Sequence, residues 1–88
     1  MARRYVKDLS SGQVVEEVYL LTQKDLRSAA NGSLYIHAVL ADRTGQLPAR
    51  MWQATQELYN VLPPQGFVKV RGRVESYKGA LQFIIDAI

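Results

Sequence analysis

Residues 34–52, LYIHAVLADRTGQLPARMW, constrain this chain more than any other stretch, because two alternating runs meet across a polar Asp42-Arg43-Thr44-Gly45 turn. Leu34, Ile36, Ala38 and Leu40 fall on one side of the first run, and Leu47, Ala49 and Met51 on one side of the second. That side is expected to be core. The other side carries Tyr35, His37 and Val39, then Pro48, Arg50 and Trp52, so aromatic rings and a guanidinium share an outward surface. Such a surface suits stacked bases and phosphates.

A chain of 88 residues can bury one compact core but is too short for a second domain or a deep substrate cleft, which places function on the surface. Eleven Lys and Arg against eight Asp and Glu give a formal charge of +3, which permits a polyanionic partner without demanding one. Cysteine is absent, which removes disulfides and thiolate chemistry and fits a cytoplasmic location. Arg3 and Arg4 are followed by Val6-Lys7-Asp8-Leu9-Ser10 rather than by an apolar run, so no signal peptide is expected. No stretch approaches membrane-spanning length.

Residues 1–11 are polar and basic and are expected to form a flexible segment ahead of a domain over 12–88. Gln13 to Leu26 reads as one long strand whose alternation slips near Val18-Tyr19-Leu20-Leu21, the signature of a bulge. Residues 28–33 form a loop in which Asn31-Gly32 offers positive backbone angles. Strands are then expected over about 34–41 and 46–52. From Gln53 to Leu62 the period changes to that of a short helix, which Pro63-Pro64 stops. Phe67 to Val74 reads as a fourth strand, Tyr77-Lys78-Gly79 as a hairpin turn and Ala80 to Ile88 as a fifth strand.

Five strands with a helix between the third and fourth predict an all-β, five-stranded Greek-key barrel of the oligonucleotide/oligosaccharide-binding (OB) type. Closure also removes the exposed edges of so small a sheet. Gly45 is expected to end the second turn, Gly72 to bend the fourth strand and Gly79 to turn the last hairpin.

On that framework the candidate nucleic-acid-binding residues are Tyr35, His37, Arg50 and Trp52, joined by Lys24 and Arg27 near the first loop and by Tyr77 and Lys78 in the last hairpin. Tyr35 and Trp52 are expected to stack on bases, Arg50 to pair with phosphate or a base plane, and the loop cations to follow the backbone. Each has a plainer role open to it: Trp52 as a cover for the barrel mouth, Tyr77 as a hairpin packing residue, His37 as an ordinary surface histidine. Lys69, Arg71 and Arg73 alternate with Val68, Val70 and Gly72 and form a basic stripe, read first as a solvated strand face.

No catalytic residue is nominated. His37 is the only histidine, cysteine is absent, Asp42 and Asp86 are isolated, and Glu16-Glu17 point to opposite sides of a strand. No phosphate-binding GxxxxGK[ST] loop is present. The chain is therefore expected to bind neither metal nor cofactor and to catalyse nothing by itself.

Three segments carry a family resemblance: VKDLSSGQVVEEVYLL at 6–21, NGSLYIHAVLADRTGQLPARMW at 31–52 and VKVRGRVESYKGALQ at 68–82. As an ordered set they resemble the OB-fold domain at the N-terminus of YhaM-type 3′-to-5′ exoribonucleases, in which an HD-type phosphohydrolase domain follows. The resemblance implies single-stranded nucleic acid binding, RNA above all, in the service of a nuclease. The His-Asp dyad and other metal ligands of the HD domain have no counterparts here, so catalysis does not carry over. The chain is expected to be either a fragment of a longer protein or a free-standing relative. The competing expectation is an OB domain used for protein docking, with Trp52 and Val39 as an apolar contact, or for dimerisation through its final strand.

Overall fold

A computed structural model describes residues 5–63 and 65–88. The elements in chain order are β1 (Val14–Ser28), β2 (Leu34–Asp42), β3 (Gly45–Trp52), α1 (Gln56–Val61), β4 (Gly66–Tyr77) and β5 (Ala80–Ala87). The strands close into a barrel in the order β1-β2-β3-β5-β4. Closure needs every strand to pair on two sides, and β1 does so with successive parts of its 15 residues: Val14–Leu21 pair with β4 and Leu20–Ser28 with β2. Between β3 and β5 the seam is short and parallel, through Ala49↔Phe83 and Arg50↔Ile84. Because β5 is paired on both sides, the premise for dimerisation through a free final strand is absent at these residues.

A bulge lies where the register shifts between Leu21 and Gln23, at the end of the segment whose alternation slips. It reverses the phase of β1. Val15, Tyr19 and Leu21 are buried before it, whereas Leu26 packs on the core after it, so even-numbered residues take over the inward side. Lys24, paired with the buried Ala38, is carried inward by the same step.

The core is built from Tyr19, Phe83, Leu21, Ile36, Leu40, Val15, Val70 and Val74, all essentially inaccessible to water. Tyr19 meets Phe83 edge to face, with centroids 6.5 Å apart and rings inclined at 70°. Ile36, Ala38, Leu40, Leu47, Ala49, Val70 and Phe83 occupy the interior as their alternation predicts. Met51 and Val68 are only partly buried against it. Leu34 departs from the expected core stripe: it is the first residue of β2 and stays 38% exposed.

Gly72, expected to bend β4, sits at an irregularity of the strand where the backbone of β5 comes close. The register between β4 and β5 shifts at Arg71/Gly72, and a Cβ at position 72 would lie 1.9 Å from the Ile84 carbonyl oxygen. In the last hairpin, Lys78 and Gly79 have φ of 51° and 81°, the paired positive angles of a type I′ turn joining Tyr77 to Ala80.

The helix is shorter than its sequence pattern. Gln53 turns the chain with φ 57°, and Thr55 caps α1 by accepting the Leu58 N–H at 3.1 Å, so the helix starts at Gln56. It ends at Val61, ahead of Pro63; Pro64, part of the expected stop, lies outside the described residues.

Residues 1–4 of the segment expected to be flexible also lie outside the described residues, and residues 5–11 are tied to the barrel. Val6–Asp8 form a single 3-10 turn, and Leu9 is buried in the core. The Asp42 carboxylate accepts from the Val6 N–H at 2.8 Å and from the Thr44 N–H at 2.7 Å, while the Lys7 N–H donates to Thr44 Oγ1 at 3.1 Å. The 42–45 turn thus fastens the start of the chain as well as joining two strands.

Candidate functional site

Register decides which outward side chains meet. Across β1, β2 and β3, one row runs Arg27–Tyr35–Trp52, the next Asp25–His37–Arg50 and the next Gln23–Val39–Pro48. The alternation that buries Ile36 and Ala38 therefore stands Tyr35 beside Trp52 and His37 beside Arg50. The Tyr35 and Trp52 rings lie 4.9 Å apart at 43°, and Trp52 remains 45% exposed. Part of the indole is covered by its neighbours and a little under half of the residue faces water.

The β4–β5 hairpin completes the group. Tyr77, half exposed at its end, brings its ring to 5.8 Å from the Arg50 guanidinium, which is also 5.7 Å from the Tyr35 ring and 5.7 Å from the Trp52 ring. Three rings thus surround one cation at distances where ring quadrupoles attract it. Lys78 Nζ lies 5.4 Å from the Tyr77 ring, on the rim. Between β3 and the hairpin lies a groove of about 130 Å³, lined by His37, Pro48, Arg50, Tyr77 and the start of β5.

Among the described residues no ion pair engages Arg50 or Lys78, whereas Arg27 has one. Arg27 makes an exposed contact with Asp25 at 3.4 Å, a pair of a kind worth about 0–1 kcal/mol and easily exchanged for another anion. Partial burial, followed by the Arg27 and Arg50 guanidiniums, holds the His37 imidazole below its ordinary value of 6.5, with Asp25 opposing them. Near neutral pH His37 is a neutral group with one donor and one acceptor.

Seven of the eight sequence-predicted site residues, namely Tyr35, His37, Arg50, Trp52, Arg27, Tyr77 and Lys78, share this face or its rim. Lys24 does not. The bulge turns it toward the helix, where Nζ donates to the carbonyls of Tyr59 and Leu62 at 2.7 Å each and lies 4.2 Å from the Tyr59 ring. A cation there satisfies carbonyls at the helix C-terminus and interacts favourably with its dipole. Sequence proximity to the loop gave no hint of this, because the phase change within β1 is what redirects the side chain.

Two groups escaped the sequence reading. Asp25 stands directly across from His37, and Gln82 lines the groove beside Arg50; both positions follow from strand register. In the basic stripe on β4, Lys69 lies 3.5 Å from Glu16 and Arg73 2.9 Å from Glu75, both exposed pairs, whereas Arg71 has no ion pair among the described residues. Elsewhere, Tyr5, Leu20, Ala41, Asp42, Arg43 and the exposed Phe67 line a cleft of about 530 Å³. Arg43 in that cleft donates to the Tyr5 hydroxyl at 3.1 Å.

Among the described residues no group of three or more His, Cys, Asp or Glu is placed to hold a metal ion. No helix among them is long and apolar enough to cross a membrane.

A closed five-stranded barrel in the order 1-2-3-5-4, with a helix between β3 and β4, is an OB fold, and Tyr35, Trp52, Tyr77, Arg50 and Lys78 gather on one of its faces. Comparison with known proteins agrees. The chain belongs to the OB-fold nucleic acid binding domain family, whose model matches residues 22–88. It is related to 3′-5′ exoribonuclease YhaM: 34% identical over 73 residues to the protein of Geobacillus sp. (strain WCH70), covering 82% of this chain and 22% of that protein. With YhaM of Bacillus subtilis (strain 168) it is 32% identical over 71 residues, covering 81% of this chain and 23% of that protein. The chain thus spans less than a quarter of the length of these curated relatives.

Among solved structures, the second OB-fold domain of replication protein A from Methanococcus maripaludis superposes with a TM-score of 0.68 at 15% identity, over 98% of this chain and 91% of that one. The p204 HINb domain gives 0.66 at 21% identity, over 94% of this chain and 42% of that one. Both likenesses concern the fold alone.

Proposed function

We propose that this domain binds single-stranded nucleic acid, RNA in particular, and serves as the substrate-holding part of a larger nuclease. The observation that carries the reading is the ring of Tyr35, Trp52 and Tyr77 around Arg50 on one exposed face. Stacked bases need flat apolar surface open to solvent, and Trp52 and Tyr77 supply it. The phosphates that accompany those bases need cations within reach, and Arg27, Arg50 and Lys78 lie in or beside the same rows. A duplex hides its base faces and gains nothing from the rings.

The relatives are exoribonucleases, which favours RNA as the ligand and a covalently following HD-type catalytic domain as the partner. Chemistry then belongs to that other domain. This one contributes a grip on the strand, with no metal or cofactor of its own and in a cytoplasmic setting.

The test is fluorescence anisotropy with labelled single-stranded RNA, single-stranded DNA and duplex, over a salt series. The reading requires a preference for single strands and an affinity that falls with salt. Binding that does not distinguish single strands from duplex contradicts it, and salt-insensitive binding to protein alone points to a docking module. Incubation with labelled RNA and divalent metal should leave the RNA intact, and cleavage that survives repurification would overturn the non-catalytic assignment.

A further inference from the structure

Arg50 differs from the other described arginines in what surrounds it: Arg71 on β4 also lacks an ion pair or hydrogen bond to a described residue, but no described aromatic ring is placed against it. Arg27 is bonded to Asp25, Arg43 to the Tyr5 hydroxyl and Arg73 to Glu75, but no ion pair or hydrogen bond to a described residue engages the Arg50 guanidinium. Three rings surround it instead. Rings attract a cation without consuming its N–H groups, so the guanidinium is steered in position while its fork of donors stays available. It forms part of the wall of the groove between β3 and the β4–β5 hairpin.

That groove has the makings of a slot for one base. Its volume of about 130 Å³ is on the scale of a single ring system rather than of a folded strand. Pro48 and Tyr77 offer flat apolar walls, whereas His37, Arg50 and Gln82 offer polar groups. We propose that this groove reads one base edge of the bound strand and prefers guanine, with Arg50 as the specificity-determining residue. The inference rests on the single-strand reading above and adds a sequence preference to it.

The choice of base follows from donor and acceptor patterns. A guanidinium fork carries two parallel donors and matches an edge with two neighbouring acceptors, which guanine presents as O6 and N7. Adenine places its N6 amino donor beside N7 and meets the fork donor to donor. Uracil alternates acceptor and donor. Cytosine has neighbouring acceptors at O2 and N3, but its single ring covers less of Tyr77 and Pro48. Guanine also brings N1–H and amino donors, for which the Gln82 side-chain oxygen and the neutral His37 ring are acceptors. The expected order is guanine, then cytosine, then adenine and uracil.

The test compares uridine oligonucleotides that carry one central guanine, cytosine, adenine or uracil, with affinity read by anisotropy for the 88-residue chain. The guanine oligonucleotide should bind about tenfold tighter than all-uridine RNA. Replacing the central guanine by 7-deazaguanine removes the N7 acceptor and leaves the protein untouched; it should erase most of that advantage. In Arg50→Lys, which keeps the charge and loses the fork, the guanine-to-uracil ratio should fall below about twofold.

Single-strand binding with equal affinity for all four oligonucleotides overturns the base assignment alone. So does a guanine preference that survives both 7-deazaguanine and Arg50→Lys. Equal losses for every oligonucleotide in Arg50→Lys, with the wild-type preference unaffected by 7-deazaguanine, would place the preference elsewhere. Failure to bind any single strand overturns the parent reading and this one with it.

Discussion

Replacing Trp52 by alanine separates the two halves of the proposed mechanism, because an indole contributes stacking surface and no charge. The structure bounds both the binding loss and the damage to the fold. Trp52 is 45% exposed, and part of its surface is taken up by Tyr35, with centroids 4.9 Å apart, so it has room for a single base. Stacking of one base on one aromatic side chain is worth about 1–3 kcal/mol, which corresponds to a roughly 5- to 150-fold loss of affinity. The slope of log affinity against log salt should stay where it is, because no phosphate contact is removed. For stability, a fully buried Trp→Ala change costs about 3–5 kcal/mol, and half burial brings this to about 2 kcal/mol, including the ring pair with Tyr35. A cost of that size lowers the melting temperature by roughly 8–16 °C for a domain of this length and leaves the chain folded at room temperature. Circular dichroism establishes folding, and anisotropy over a salt series reads affinity and slope. A folded Trp52→Ala protein that binds single strands as tightly as wild type would refute stacking at this residue. A loss accompanied by a smaller salt slope would show that the substitution had disturbed the cations instead.

Gly72→Ala should destabilise the barrel by about 3 kcal/mol or more, since the new methyl group collides with the Ile84 backbone carbonyl, which cannot rotate away; thermal melts should place its midpoint at least roughly 12 °C below wild type. Lys24→Met should cost about 1–3 kcal/mol by orphaning the Tyr59 and Leu62 carbonyls, as measured by urea unfolding, while leaving the salt slope of RNA binding unchanged. His37 should make the fold less stable in mild acid: its folded value lies below the ordinary 6.5, so the unfolded chain binds more protons as pH falls through 6.5 toward the folded value. The stability difference between wild type and His37→Gln should therefore be flat above about pH 7.5 and should shift against wild type by about pH 5, and a flat difference throughout would contradict the partial burial of His37 near the Arg27 and Arg50 guanidiniums.

Strands were legible in the sequence wherever burial is one-sided, because a strand with one apolar and one wet face must alternate. Residues 34–52 show this most clearly, and the same alternation placed Tyr35, His37, Arg50 and Trp52 on one surface. The short hairpin between β4 and β5 was legible for a different reason: Lys78-Gly79 supplies the positive angles that its turn requires. What stayed hidden depended on events that leave no periodic trace. A one-residue bulge reverses the phase of β1, so Lys24, read as a loop cation, points instead to the carbonyls at the end of α1. Residues 5–11 look polar and loose, yet Leu9 and the Asp42 carboxylate fasten them to the barrel through contacts distant in sequence. Tyr19, in the segment whose alternation slips, lies in the core against Phe83, and these rings of two non-neighbouring strands meet only across the interior of the closed barrel. The convergence of Tyr77 on Arg50 likewise needs the β3–β5 seam, which pairs strands more than thirty residues apart.

The most direct test of the binding face is an NMR titration of the isotopically labelled chain with a short single-stranded RNA. The Trp52 indole N–H, as the single tryptophan signal in the chain, reports on the proposed stacking site without ambiguity. Its resonance and the amides of Tyr35, His37, Arg50, Tyr77 and Lys78 should shift together and saturate with one affinity, while Phe67, Lys69 and Arg71 on the outer face of β4 stay still. Perturbations centred on Phe67 and Arg43, or on the β4 stripe, with the Trp52 signal unmoved, would contradict the account.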